Sequence, residues 1–349
     1  MSTGAKFGTT AVGASPPRPA AAAARNQRPM SDATLSEPPP ISLRPAAAAL
    51  RRAWPALVAA HLIVVIAAGT ASAEHFVVDG IWIALSISGA RARRWGGMLL
   101  PVWLTAVLYR DLLPLAVPFR GPVHIADLYA AELAWFGYET PAGSRIPCDW
   151  FRTRHVAVVD LVCGLPYLGF QLAAVAFAAA LARRDARRMR TFLVAYLFTH
   201  FVGFSLHVVF PAAPPWYVEF YGLGPPRFDV PGDAAGLARV DDLLGLNLAR
   251  GLYARSTNVF GAVPSLHTAL FVLFPLVSRG LGIAWLGPSL TAAAIIGFGA
   301  VYFRHHYVID VLAGVVFAGA AYGAAVAWIR SDAATAPPTT SNEEGNPRR

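Results

Sequence analysis

Two short segments of the chain carry residues that can support phosphoryl transfer. The first holds Pro264, Ser265 and His267 at the start of an apolar run. The second holds His306 and Asp310, which are four residues apart and therefore share one face of a helix. A carboxylate so placed can hold an imidazole N–H and leave the other ring nitrogen free as a nucleophile. His267 then supplies a second group for acid–base work.

The first segment also predicts a place for negative charge. Pro264 suits the first turn of a helix, and Ser265 lies among backbone N–H groups that have no intrahelical partner. Those groups and the helix dipole favour an anion, so we expect a phosphate pocket here. We expect the imidazoles of His267 and His306 about 4–7 Å apart, with Asp310 at hydrogen-bond distance from His306.

These patterns resemble those of a known family. Pro-Ser-x-His at 264–267, followed by His-x-x-x-Asp-Val-x-x-Gly at 306–314, resembles the type 2 phosphatidic acid phosphatase superfamily. Within it, the chain is similar to the inositol phosphorylceramide synthase-like (inositolphosphotransferase) branch. The segments that carry this closer likeness are 260–267, the doubled histidine in 305–307, and the Phe-Pro-Ala-Ala-Pro-Pro-Trp-Tyr run at 210–217.

The resemblance covers residues 95–330 and implies roles for three residues. His306 matches the nucleophile, Asp310 its partner and His267 the general acid and base. The chain departs from the phosphatase pattern, which has Ser-Arg where this sequence has Gly299 and Ala300, and it lacks the Lys-(x6)-Arg-Pro motif. The synthase branch also lacks these residues in that form, so the departure favours a transferase and leaves the phosphate-holding cations unassigned.

Charged residues near the two segments are candidates for binding the substrate. Arg255 precedes the first segment and is a candidate phosphate clamp. Arg304 adjoins the second segment, and two roles are open for it. It replaces the arginine of the phosphatase pattern that this chain lacks, or it lies at the membrane interface. His305 binds phosphate or caps the helix. Its spacing of five to Asp310 puts it off the shared face, which makes His306 the preferred nucleophile.

His207 and Trp216 are further candidates for the pocket. His200 and His207 are seven apart on one face of a predicted span, and for His207 we favour an interhelical hydrogen bond over a place in the site. Trp216 is a wall of the headgroup pocket by resemblance, or part of an interfacial aromatic belt. No histidine–carboxylate spacing reproduces a known metal site, so we expect no metal and no cofactor.

The composition is that of a membrane protein. Hydrophobic residues make up 56% of the 349 and charged residues only 14%, against about 25% charged residues in soluble domains. The net charge of +9 comes almost wholly from arginine. Because the arginines lie mostly in the N-terminal tail and in short loops, they follow the positive-inside pattern rather than indicating nucleic-acid binding.

Eight apolar segments are candidate membrane spans. They are 54–72, 75–90, 95–117, 157–182, 191–211, 264–278, 282–302 and 306–329. They predict an all-α polytopic bundle, with a six-helix phosphatidic acid phosphatase-like catalytic domain at 95–330 and two added N-terminal transmembrane helices at 51–94. We expect 1–50 to be a disordered cytoplasmic tail and 331–349 a second disordered tail.

Arginine in the loops 91–94 and 183–190 sets the predicted orientation in the plasma or inner membrane. It places both termini in the cytoplasm and both catalytic histidines on the extracytoplasmic side. The expected partners are the bilayer, a phospholipid donor and a lipid-alcohol acceptor.

The predicted function is transfer of a phospho-headgroup from a phospholipid to a lipid alcohol through a phosphohistidine. By resemblance, the donor is phosphatidylinositol and the acceptor a ceramide, diacylglycerol or other lipid alcohol, which would place the enzyme in sphingolipid metabolism. One alternative is a lipid or polyprenyl phosphate phosphatase, because water can use the same machinery. The other is a non-catalytic transporter or lipid-binding protein, since ionisable residues within spans also mark ion paths.

Overall fold

The computed structural model describes residues 44–256 and 258–334. The expected tails at 1–50 and 331–349 lie largely outside the described residues, although the first helix begins at Arg44 and the last ends at Ala334. The described residues are mostly helical, with one small antiparallel hairpin of β1 (Tyr138–Thr140) and β2 (Gly143–Arg145). The predicted all-α membrane bundle is confirmed.

The N-terminal part contains five α-helices and a π-helical turn. The α-helices are α1 (Arg44–Ala67), α2 (Ala73–Ile87), α3 (Ala90–Met98), α4 (Leu100–Val107) and α5 (Leu113–Ala116), with the π-helical turn Leu108–Leu112 between α4 and α5. A 3-10 turn, Val117–Phe119, follows, and α6 (Ala126–Phe136) lies in the next loop.

The remaining helices include the two that contain His267 and Asp310 of the two short segments. In chain order, the remaining helices are α7 (Ala157–Leu168), α8 (Phe170–Arg184), α9 (Ala186–Val209), α10 (Pro215–Tyr221), α11 (Ala238–Leu244), α12 (Leu248–Ala254), α13 (Leu266–Ser278), α14 (Ile283–Tyr302) and α15 (Val308–Ala334). Two 3-10 turns, Pro147–Arg152 and Ala235–Leu237, lie before α7 and α11.

By length and composition, 4 described helical stretches can cross a membrane. They are Leu100–Phe119, Ala186–Val209, Ile283–Tyr302 and Val308–Ser331. The pair α7 and α8 adds a fifth if it forms one span, and Arg52–Ala67 and Leu266–Ser278 are shorter apolar helices. The chain is therefore a multi-pass membrane protein.

The predicted single span 157–182 is in fact two helices that meet at 68°. Gly169 ends α7, and Pro166 three residues earlier has no N–H to donate within the helix. The bend brings the rings of Tyr167 and Phe170 against His267.

Helix α13 lies at the centre of the described bundle and packs against α9, α14 and α15. It is apolar on all sides, as expected for a helix surrounded by others. Ala269, Leu270 and Leu273 are fully buried. This packing fixes the start of α13, which carries His267.

The start of α13 also touches α15 backbone to backbone. The Ser265 N–H donates to the Asp310 carbonyl oxygen at 3.0 Å. One turn further along α15, a Cβ added to Gly314 would lie 2.6 Å from the Ser265 carbonyl oxygen. Gly314 is thus required because the backbones of the two short segments approach each other closely at this position.

We expect Gly314→Ala to destabilise the protein by about 1–3 kcal/mol, because the added methyl group forces α13 and α15 apart. The measurement is thermal unfolding of the purified protein in detergent, together with activity. Gly323→Ala in the same helix is the matched control, since its added Cβ meets nothing within 4 Å. A Gly314→Ala protein as stable and active as the Gly323→Ala protein would show that the close approach is wrong.

Candidate active site

His267 and His306 face each other across one cavity. Their ring centroids are 6.3 Å apart, within the spacing expected for groups on either side of a phosphorus atom. Both line a cavity of about 490 Å³. Tertiary packing therefore brings together two imidazoles that are far apart in the sequence.

The orientation of His306 is set by a backbone carbonyl. Its Nδ1 lies 2.9 Å from the Ala262 carbonyl oxygen. A carbonyl oxygen can only accept, so Nδ1 carries the proton and Nε2 carries the lone pair. Ala262 is held in turn, because its N–H donates to the Ala212 carbonyl oxygen at 3.1 Å.

Asp310 is not hydrogen-bonded to His306 as the sequence analysis expected. Its Oδ2 lies 3.6 Å from His306 Nδ1, too long for a hydrogen bond but within the range of an ion pair. That oxygen accepts the Tyr307 N–H at 2.8 Å, while Nδ1 of His306 donates to Ala262. The carboxylate is fully buried and its Oδ1 has no hydrogen-bond partner among the described residues. Asp310 is thus placed to act on His306 through its charge.

His267 is held by aromatic rings. It lies in the first turn of α13, where Ser265 is the N-cap and accepts the Thr268 N–H. Its ring stacks on Tyr167, with centroids 4.1 Å apart, and meets the edge of Phe170 at 4.7 Å. The Tyr167 hydroxyl is buried, has no hydrogen-bond partner among the described residues, and belongs to a residue that lines the cavity.

The turn that carries His306 is held by hydrogen bonds from the long segment between α9 and α13. The Trp216 N–H donates to the Arg304 carbonyl oxygen at 3.1 Å, and the Gly236 N–H donates to that of Phe303 at 3.0 Å. Arg304 itself adopts φ 64°, a left-handed conformation that is uncommon for a residue with a side chain. The segment therefore shapes the turn before α15.

Three residues predicted to hold the phosphate do not line the cavity. Ser265 is fully buried and its hydroxyl is occupied by Thr268. Arg255 is exposed and pairs with Glu74 at 3.0 Å. Arg304 pairs with Glu219 at 3.0 Å. Each of these three side chains is thus already paired with another residue of the protein.

The other three predicted binding residues line the cavity. They are His207, Trp216 and His305. His207 Nε2 donates to the carbonyl oxygen of Pro264 at 3.2 Å; Pro264 lies just before α13 rather than in a helix, so the expected interhelical hydrogen bond is not formed. His305 Nε2 donates to the Ala234 carbonyl oxygen at 3.1 Å, and its ring stacks on Tyr253.

Much of the cavity wall is formed by residues that the sequence did not predict to be there. The additional lining residues include Tyr167, Gln171, Tyr253 and Asn258, together with His61, His75 and Asp111 from the N-terminal region. The only sequence signal for the last three was that each is an ionisable residue in or beside an apolar segment, which often marks function.

Glu132 of α6 is a further residue whose role the sequence did not predict. Its carboxylate is fully buried and accepts the N–H groups of Val308 at 2.9 Å and Ile309 at 3.1 Å. These are the first N–H groups of α15, which have no intrahelical partner. Burial, reinforced by the nearby charge of Asp310, raises the pKa of Glu132. Glu132 fixes the start of the helix that carries Asp310.

The chain belongs to the PAP2 superfamily, whose family model matches residues 147–324. It is similar to the phosphoinositol dihydroceramide synthase of Bacteroides thetaiotaomicron, with 33% identity over 69% of this chain and 80% of that protein. It is also similar to the inositol phosphorylceramide synthase of Candida albicans, at 28% identity over 62% of this chain and 45% of the relative.

A third relative is the catalytic subunit of inositol phosphorylceramide synthase from Saccharomyces cerevisiae, at 29% identity over 56% of this chain and 48% of that protein. The chain thus spans about half the length of the two yeast relatives. No solved structure matches it significantly. The family and these relatives confirm that the protein is a membrane enzyme of lipid headgroup transfer.

We expect Glu132→Ala to reduce activity more than Glu132→Gln. Alanine leaves two helix N–H groups without an acceptor, at about 1–3 kcal/mol each, whereas glutamine keeps one acceptor oxygen. The measurement is headgroup transfer and thermal unfolding, with Glu139→Gln in the exposed hairpin as control. Equal activity of the Ala and Gln variants would contradict a positioning role for Glu132.

Because His305 is buried, we expect the folded protein to lose stability in acid. Burial, together with the neighbouring His306 and Arg304, lowers the pKa of His305 to about 3. The unfolded chain takes up this proton near pH 6.5, so stability falls as the pH drops from about 6.5 towards about 3. The unfolding temperature of the wild type should fall more over this range than that of His305→Asn. Parallel pH profiles would exclude His305 as the cause.

Proposed function

We propose that this protein transfers a phosphoinositol headgroup from an inositol phospholipid to a ceramide-type lipid alcohol. The observation that carries the proposal is the pair of imidazoles, His267 and His306, with centroids 6.3 Å apart in one cavity. The names of the relatives supply the substrate class, since all three are inositol phosphorylceramide or phosphoinositol dihydroceramide synthases.

In the first step, the Nε2 lone pair of His306 attacks the phosphorus of the donor. A P–N bond forms, and the P–O bond to the diacylglycerol oxygen breaks. His267 gives a proton to that leaving oxygen. The products are diacylglycerol and a phosphohistidine that still carries the headgroup.

In the second step, the hydroxyl of the acceptor lipid attacks the same phosphorus. His267 now takes the hydroxyl proton, the P–N bond breaks and its electron pair returns to His306. A new phosphodiester lipid leaves, and both histidines regain their starting protonation states. One acid–base residue therefore serves both half-reactions, as the symmetry of the two steps requires.

The residues around the two histidines have supporting roles. The Ala262 carbonyl oxygen keeps the Nδ1 proton in place, and the buried charge of Asp310 stabilises the positive imidazole formed on attack. The unpartnered hydroxyl of Tyr167 is placed to donate to a phosphate oxygen. Tyr167 thus takes part of the role that the sequence analysis gave to Ser265 and the arginines.

Both termini are assigned to the cytoplasm and the two histidines to the extracytoplasmic side. The support is the charge of the loops: arginines are concentrated at 91–94 and 183–190, on the side of the bundle opposite the two histidines if eight segments cross. In this arrangement the donor and acceptor reach the cavity from the same leaflet.

The test is incubation of the purified protein with headgroup-labelled phospholipids and a ceramide in detergent micelles. We expect a new phosphodiester lipid from the wild type, no transfer by His306→Ala, and a loss of about 10²–10⁴-fold in His267→Ala. Exposed His155 provides the control variant His155→Ala, which should transfer at the wild-type rate. Transfer that survives in His306→Ala, or release of a soluble phosphate in place of a new lipid, would overturn the proposal.

A further inference from the structure

His200 is a buried histidine of the cavity wall that the two transfer steps do not use. It belongs to α9, is 3% exposed, and lines the same cavity as His267 and His306. Ionisable side chains inside an apolar span are costly, and those that line a cavity usually serve its function.

A backbone carbonyl fixes which nitrogen of His200 is free. Nδ1 lies 2.8 Å from the carbonyl oxygen of Tyr196, which can only accept, so Nδ1 carries the proton. In the neutral ring, which the apolar span favours, Nε2 carries the lone pair. Nε2 has no hydrogen-bond partner among the residues that the structure describes. His200 therefore offers a ligand in the cavity one hydrogen-bond acceptor.

The packing of α9 against α13 places His200 beside the catalytic segment. Gly203, three residues after His200, lies on the same face of α9. A side chain at Gly203 would collide with Leu266, so α9 approaches the start of α13 closely here. Leu266 directly precedes His267 in the chain. The free acceptor thus lies about one helical turn from the contact that positions the catalytic His267.

His200 also lies deeper in the bundle than the catalytic segment. Helix α9 is long and apolar enough to cross a membrane. His207, near its C-terminal end, donates to the Pro264 carbonyl oxygen just before α13. His200 comes seven residues earlier, which is about 10 Å further towards the middle of the span. We therefore expect a ligand group at His200 to belong to the lipid part of a substrate rather than to its polyol headgroup.

Gln171 offers a donor in the same part of the cavity. Its side-chain oxygen accepts the Tyr196 hydroxyl, and its carboxamide N–H groups have no partner within the described part of the chain. Gln171 lines the cavity, as does Phe204, whose ring meets the edge of His200 with centroids 5.7 Å apart. Tyr196 therefore holds one acceptor and one donor in otherwise aromatic surroundings.

The two lipid alcohols of the proposed reaction differ in what they present to such an acceptor. Apart from its reacting hydroxyl, diacylglycerol carries only esters, which accept. A ceramide-type lipid carries an amide N–H close to its reacting hydroxyl. We propose that Nε2 of His200 accepts this amide N–H and thereby selects an N-acylated amino alcohol over diacylglycerol as the acceptor. This assignment rests on the proposed function and names the residue that reads its acceptor.

Such selection has a direct consequence for the reaction. Diacylglycerol is the product of the first step, and its attack on the phosphohistidine would restore the donor. With diacylglycerol bound, the buried lone pair of His200 has no donor and faces ester oxygens. Leaving a buried polar group unpaired weakens binding by about 10–100-fold. Gln171 does not discriminate in this way, because a carbonyl oxygen occurs in both lipids.

The first experiment measures binding without transfer, in full-length His306→Ala protein in detergent micelles. A fluorescent ceramide is displaced by ceramide or by an analogue in which an ester oxygen replaces the amide N–H. The ester analogue should bind about 10-fold or more weakly, and adding His200→Leu should remove this difference. Ser205→Ala, which changes an exposed side chain of α9, is the matched control and should preserve it. An equal preference with and without His200 would overturn the proposal.

Two further comparisons separate a direct contact from a change in cavity shape. In the same His306→Ala background, His200→Gln should keep part of the preference, because its side-chain oxygen can accept an N–H. If His200→Leu instead weakens both ligands by the same factor, His200 only shapes the cavity and the proposal is wrong. A ceramide without its second hydroxyl should still be preferred over its ester counterpart. Loss of the preference there would assign the contact to that hydroxyl and contradict the amide assignment.

Transfer kinetics with the labelled donor complete the test. The ratio of transfer to ceramide over exchange with added diacylglycerol should fall about 10-fold in His200→Leu, since both reactions use the same phosphohistidine. Transfer to ceramide with an unchanged ratio in His200→Leu overturns the role of His200 and leaves the proposed function in place. A protein that prefers the amide ligand through His200 but transfers no headgroup contradicts the proposed function and not the binding site.

Discussion

The site depends on two hydrogen bonds to backbone carbonyl groups that join the segment before α13 to the start of α15. His306 donates to the Ala262 carbonyl oxygen, and the Ser265 N–H donates to the Asp310 carbonyl oxygen. Backbone groups have fixed directions, so these two bonds set both the distance and the tautomer of the imidazoles. Gly314 permits them, because any side chain there would meet the Ser265 carbonyl oxygen. The arrangement of the two histidines is thus held by contacts to main-chain groups rather than by a hydrogen bond between His306 and Asp310.

Buried charge around this joint is balanced locally. Glu132 accepts two N–H groups at the start of α15, and Asp310 accepts a third from Tyr307. Helix N-termini favour negative charge, which offsets part of the penalty for burying two carboxylates near each other. One of these carboxylates, Asp310, lies 3.6 Å from the His306 imidazole that becomes positive during the proposed attack. Electrostatic stabilisation of the fold and of the reaction therefore come from one arrangement.

The N-terminal helices contribute more than additional spans. Helices α1 and α2 and the π-helical turn supply one wall of the cavity, including His61, His75 and Asp111. The phosphatase-type basic residues missing from the sequence are not replaced by Arg255 or Arg304, which pair with Glu74 and Glu219 and do not line the cavity. The polar groups available to a headgroup in this cavity therefore include residues that lie outside the two segments at 264–267 and 306–314.

The sequence alone determined the membrane bundle, the family and the pair His267 and His306, because apolar length and short motifs are local properties of the chain. It did not determine which side chains point into the cavity. The role expected of Asp310 as a hydrogen-bond partner went to Ala262, since a carbonyl has no sequence signature. The meeting of His61 with Asp111, 50 residues away, was likewise decided by helix packing and a π-helical turn, which no spacing rule encodes.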